Sequence, residues 1–132
     1  MIQPEECFNF IKIKPIENTS SLKHDLNDSV TFEVRIDESL PYFNGHFPEM
    51  PILPAVAYID ISKIIATKIM KKNHQDIYIR KIKKAKFLRP IEINENLLIK
   101  VIKNQDNWHF QFLTNKANSP VALLDMELNP LI

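Results

Sequence analysis

The chain has 132 residues, 45% of them hydrophobic, with seventeen basic against sixteen acidic side chains and a formal net charge of +1. That length and apolar content fit one domain, residues 1–132, with a core of its own, and exclude a disordered chain. The balanced charge gives no reason to expect nucleic-acid binding, and no apolar run approaches the ~18 residues that would span a bilayer. A lone cysteine, Cys7, cannot close an internal disulfide. The opening Met1-Ile2-Gln3-Pro4-Glu5-Glu6 has neither a basic n-region nor an apolar h-region, so no secretory signal is expected and a cytoplasmic location is.

Taken in chain order, Phe8 to Ile16 is rich in strand-forming residues and Glu17 to Ser29 reads as a polar loop. From Val30 to Ile36 the alternation is clean, with Val30, Phe32, Val34 and Ile36 on one face and Thr31, Glu33 and Arg35 on the other. The loop that follows holds the only glycine of the chain, Gly45, beside His46, where an average protein of this length would carry roughly nine glycines. Four of the nine prolines crowd the same stretch: Pro41, Pro48, Pro51 and Pro54. Proline fixes φ and removes a donor, so this loop is stiff and presents its imidazole from a constrained backbone.

Pro54 to Lys72 runs without an internal proline or glycine and predicts one long helix. Val56, Ile59, Ile61, Ile64, Ile65, Ala66, Ile69 and Met70 surround nearly the whole cylinder, which predicts burial on most faces. Lysines at 68, 71 and 72 suit the negative end of the helix dipole. The run Arg80, Lys81, Lys83, Lys84, Lys86, Arg89 reads either as the solvated face of a strand or as a docking patch for an acidic partner. Within it Ile77 and Ile79 fall out of phase with Ile82 and Leu88, which predicts a bulge. Leu97 to Lys103, Trp108 to Leu113 and Val121 to Leu128 are strands separated by turn-forming Asn104-Gln105-Asp106-Asn107 and Asn115 to Pro120. One buried helix followed by an antiparallel meander predicts an α+β domain, its sheet wrapped around one central helix.

Three groups near the helix start can do chemistry together. Asp60 interrupts an apolar helix between Ile59 and Ile61, a setting that disfavours the charged carboxylate and suits a proton donor. His46 is a candidate base. The Ala55 amide, in the first helical turn, is unpaired and points beyond the N-terminus. A base, an acid and an oxyanion donor within fifteen residues suit proton abstraction next to a carbonyl.

The run Phe43-Asn44-Gly45-His46-Phe47-Pro48-Glu49-Met50-Pro51-Ile52-Leu53-Pro54-Ala55-Val56 resembles the signature F-x-G-H-F-P-x-x-P-x-x-P-G-V/C of the hotdog-fold 3-hydroxyacyl-acyl carrier protein dehydratases. Asp60 falls on the acid that follows the histidine by fourteen residues, and aspartate there is similar to the branch that also isomerises the double bond. Lys86-Phe87-Leu88-Arg89-Pro90 is similar to the family's arginine-proline run before its last strands. The resemblance implies a hotdog fold and a homodimer or higher homo-oligomer. It implies that His46 removes the α-proton of a (3R)-3-hydroxyacyl thioester on an acyl carrier protein. The Ala55 amide would hold the thioester oxygen, and Asp60 from a partner subunit would protonate the leaving hydroxyl. Gly45, Pro48 and Pro54 would set the loop geometry. Phe47, Ile52, Leu53 and Phe87 would wall the acyl tunnel, with core packing as their alternative role. Arg80, Lys83, Lys84, Lys86 and Arg89 would dock the acidic carrier. None of these roles calls for a metal or an organic cofactor.

Three departures stand out. Ala55 replaces the family glycine, Ile64 replaces the glutamine that orients the acid, and Ile91-Glu92-Ile93-Asn94-Glu95-Asn96 replaces the Pro-Gly-Asp turn. Two other readings stay open at this stage, a hotdog thioesterase and a non-catalytic acyl-binding or assembly subunit.

Overall fold

The structure is a computed structural model that describes residues 13–16, 29–37, 52–73, 76–114 and 119–130. Its strands are β1 (Ile13–Ile16), β2 (Ser29–Arg35), β3 (Ile77–Phe87), β4 (Asn96–Asn104), β5 (Asn107–Thr114) and β6 (Ala122–Pro130). Among the described residues one α-helix, α1 (Ala55–Met70), lies between β2 and β3. The strands form one antiparallel sheet in the order β1-β2-β4-β5-β6-β3. The expected loop from Glu17, the histidine loop and residues 8–12 of the first strand-rich stretch lie outside the described residues.

Alternation sorts the sheet into a core face and an outer face. Phe32 and Val34 of β2, Leu97, Ile99 and Val101 of β4, Trp108, Phe110 and Phe112 of β5, and Leu124, Met126 and Leu128 of β6 are all buried on one side. Lys100, His109, Gln111 and Asp125 alternate with them and are exposed or half-buried. Trp108 and Phe110, two apart on β5, stack with ring centroids 6.0 Å apart. The β4–β5 hairpin turns at Gln105-Asp106 as its composition predicts, with Gln105 at φ 59°. Val30 shares the core face with its partner Val101 but is 37% exposed near the start of β2.

Pro54 caps α1 at φ −74° and ψ 159°, an extended residue with no N–H to lose. At the other end Lys71 takes the left-handed conformation, and its N–H and that of Lys72 close on Lys68 and Thr67. Ala57, Tyr58, Ile61, Ser62, Ile64, Ile65, Ala66 and Thr67 are buried. The expectation of burial on most faces needs correction for the single chain. Val56 is 55% exposed, and Ile59, Asp60, Lys63, Ile69 and Met70 are only half-buried, because the sheet covers one side of the helix.

The basic run is β3, the edge strand beyond β6. Its register slips twice against β6, between Ile79 and Lys81 and between Ile82 and Lys84, which is the bulge that the phase change predicts. The two slips keep Ile79, Ile82, Ala85 and Phe87 opposite the core-facing Leu128, Met126, Leu124 and Ala122, while Lys81, Lys84 and Lys86 stay on the outer face. Ile82 and Phe87 are nevertheless 43% and 46% exposed, so the apolar layer continues past the edge of the chain. Among the described residues no helix is long and apolar enough to cross a membrane.

Candidate active site

The approach to α1 is extended and pinned to a turn between β3 and β4. Ile52 bridges Glu92, and the Leu53 N–H donates to the Ile91 carbonyl at 2.7 Å. Pro54 then turns the chain into the helix, whose first bond runs from the Ala57 N–H to the Pro54 carbonyl at 3.0 Å. Among the described residues no side chain caps this end, and no acid occupies the first turn. The amides there keep their positive partial charge and their donor capacity toward whatever lies beyond.

What lies beyond is a cavity of about 350 Å³. The helix start contributes Pro54, Ala55 and Tyr58, the approach contributes Ile52 and Leu53, and the end of β3 contributes Phe87, Leu88, Arg89 and Pro90. Three of the four predicted tunnel residues, Ile52, Leu53 and Phe87, therefore line one cavity with Ala55 and Pro54. Phe47, Gly45, His46 and Pro48 lie outside the described residues.

Tyr58, like Leu88 and Pro90, is a lining residue that the sequence reading missed. It lies three residues after Ala55, on the same side of the helix, a spacing that could have revealed it. Its ring meets Phe87 at 4.9 Å and Phe112 at 5.3 Å, both edge-on. Burial pushes its hydroxyl up to about 12, helped by the nearby Glu95 charge and opposed by Arg89 and a backbone hydrogen bond from Ile91. It stays a neutral wall at any physiological pH.

Asp60 is half-buried and does not line this cavity. Five residues beyond Ala55 place it about 140° round the helix and about 7.5 Å along it, on the side that the sheet leaves uncovered. Ile64, where the family has glutamine, is fully buried and has no polar atom to offer, yet Asp60 is not without an interaction.

Arg89 is half-buried and hydrogen-bonded, unlike the exposed lysines of the run. Its Nη2 donates to Glu95 Oε1 at 2.9 Å and to Thr114 Oγ1 at 3.0 Å, so the guanidinium is turned into the molecule, where Glu95 is 2% exposed and Thr114 3%. Arg80 and Lys83 are exposed but share Glu127, at 3.7 and 3.3 Å. Lys84 and Lys86 are exposed on β3 and make no ion pair among the described residues. His109 pairs with Asp125 on the outer face, in a separate cavity of about 260 Å³.

The turn that replaces Pro-Gly-Asp includes one left-handed residue. Asn94 adopts φ 72°, the left-handed conformation in which asparagine is the usual substitute for glycine, and Glu95 takes the acidic place after it.

Comparison with known proteins agrees with this geometry. The model of the ApeI-like family, described as ApeI dehydratase, matches residues 21–123. The chain is 28% identical over 97 residues to the 3-hydroxyacyl-[acyl-carrier-protein] dehydratase FabZ of Rickettsia massiliae, covering 67% of each chain. An uncharacterized protein from Erwinia carotovora subsp. atroseptica has a similar structure, with TM-score 0.69, 24% identity and coverage of 90% of this chain and 97% of that one. The dehydratase heterocomplex ApeI:P from Xenorhabdus doucetiae also does, with TM-score 0.67, 22% identity and coverage of 89% and 97%. These structural likenesses establish the hotdog fold.

Proposed function

The chain belongs to the ApeI-like dehydratase family, and from that premise we propose that it removes water from a (3R)-3-hydroxyacyl group held as a thioester on an acyl carrier protein. The product is a trans-2-enoyl thioester. The observation that carries the reading is the start of α1, which no side chain among the described residues caps, opening into an apolar cavity. A thioester oxygen placed against the Ala55 N–H meets a donor that needs no reorganisation as enolate character develops. Ile52, Leu53, Tyr58 and Phe87 beside it suit an acyl chain.

In this reading the neutral His46 imidazole takes the α-proton and the Cα–H electron pair moves toward the thioester. The Cβ–O bond then breaks, and Asp60 acts as the acid that gives a proton to the departing hydroxyl, so water leaves. Asp60 comes from a second copy of the chain. Its place on the uncovered side of α1, about 140° from Ala55, supports that division of labour. The exposed apolar residues Val56, Ile82 and Phe87 lie on α1 and on the edge strand β3. They support a homodimer that continues the sheet and covers the helix. Light scattering should give at least twice the 15.4 kDa of one chain, and a stable monomer at micromolar concentration would refute the assembly.

The activity itself is tested by incubating the protein with 3-hydroxyacyl carrier protein of several chain lengths and following the intact mass. Loss of one water mass, without release of free thiol, is the expected result. Release of free thiol would mean a thioesterase, and no change at any chain length would mean a binding or assembly subunit.

A further inference from the structure

We propose that Tyr58 is the floor of the cavity at the start of α1 and sets how long an acyl chain the protein accepts. Ala55 and Tyr58 bring one side of the helix to that cavity of about 350 Å³. The same side continues one turn later at Ile61 and Ser62. Both are fully buried and neither lines the cavity, so along the helix the open space ends at Tyr58. Toward the sheet the boundary is the same. Phe112 of β5 meets the Tyr58 ring edge-on at 5.3 Å, yet it is fully buried and does not line the cavity. One aromatic ring therefore stands between the cavity and the core.

That ring is held from three directions. Phe87 meets it edge-on at 4.9 Å from the cavity wall, Phe112 backs it from the sheet, and the Ile91 N–H donates to its hydroxyl. Tyr58 is only 3% exposed, so its ring has no solvent side to swing into. A ring fixed in this way is a stop and not a gate. In the dehydratase reading, on which this inference rests, the thioester lies at the Ala55 amide. Tyr58 follows three residues later, about 4.5 Å along the helix axis. An acyl chain bounded by Leu53 and Phe87 thus meets the ring soon after it enters, and a longer chain has the ring in its path.

Tyr58→Ala tests it. The full-length wild type and variant are given 3-hydroxyacyl carrier protein substrates lengthened by one carbon pair at a time. For the wild type, kcat/KM should fall steeply at one length. At the first length that the wild type rejects, the variant should gain about tenfold or more in kcat/KM, the discrimination that a hydrophobic pocket gives per methylene. Phe112→Leu, which truncates a buried aromatic behind the floor, controls for loosened packing and should leave the limit in place. No fall with length in the wild type, an unmoved limit in Tyr58→Ala, or an equal shift in Phe112→Leu would overturn the proposal. If Tyr58→Ala fails to fold, Tyr58→Leu is read by the same criteria. Binding separates the floor from the chemistry. Calorimetry with saturated acyl-pantetheine thioesters, which carry no hydroxyl to eliminate, should show the same limit. If the wild type does not dehydrate, the dehydratase reading fails and this series decides the floor. Affinity that breaks at one length and recovers in Tyr58→Ala supports it. No binding at any length, or affinity indifferent to length or to the substitution, overturns it.

Discussion

Ala55→Pro separates the oxyanion role from every structural role at the same position. Ala55 is the first helical residue, where the N–H has no acceptor within the helix, so proline removes the donor without breaking a helix bond. Pro54 already sits at ψ 159°, the extended geometry that a following proline demands. The Ala55 side chain is exposed, so no packing is lost. Thermal stability should therefore change by no more than about 1 kcal/mol in either direction. Losing one preorganised oxyanion donor should lower kcat by about 10²–10³-fold, or about 2.7–4 kcal/mol of transition-state stabilisation. Because the charge on the oxygen develops only as the α-proton leaves, the loss should fall on kcat and leave KM within about threefold. Ala55→Gly, which keeps the N–H, is the control and should keep wild-type turnover. Melting curves and steady-state dehydration on one carrier-linked substrate make the comparison. A folded Ala55→Pro enzyme with turnover within about threefold of wild type would refute the reasoning.

Two further outcomes follow from the same geometry. Lys84→Glu with Lys86→Glu should raise KM for carrier-linked substrate, in a way that fades as salt shortens the Debye length of about 8 Å, while kcat on a short thioester analogue stays put. Equal losses on both substrates would mean that these lysines support the fold. Tyr58 holds its proton up to about 12 when folded, against 10.0 unfolded, so folding retains a proton that the unfolded chain releases. Its contribution is intact below about pH 10 and is lost as pH rises toward 12. Tyr58→Phe should flatten that alkaline fall in melting temperature, and an unchanged fall would place its cause elsewhere.

The fold was legible because alternation and helical period are local signals. The meander of β4, β5 and β6 followed from alternation interrupted by turn-forming residues. The slip in β3 was visible as a phase change between Ile79 and Ile82. What a periodic pattern cannot show is which apolar side chains border empty space. Tyr58 drew no notice among the apolar positions of the helix, and its place beside Phe87 and Pro90 emerges only in the fold. Arg89 was grouped with the exposed lysines because it continues their run, but it follows the end of β3 and turns toward a carboxylate six residues on. The one-sided burial of α1 was hidden for a similar reason, since hydrophobicity records what must be covered and not which chain covers it. In the turn that replaces Pro-Gly-Asp, the left-handed backbone falls on Asn94 and the Glu95 carboxylate accepts the Glu92 N–H, a closure that spacing alone does not reveal.

The central claim is a composite site in which His46 of one chain works with Asp60 of another. Mixing His46→Ala with Asp60→Asn tests it most directly. Each variant alone should lose about 10²–10⁴-fold in turnover while remaining folded. After subunit exchange in equal amounts, half of the dimers would be mixed and each would hold one site with both native groups. About a quarter of wild-type activity should then return. No recovery between subunits shown to have exchanged, or near-wild-type turnover by either variant alone, would contradict the account.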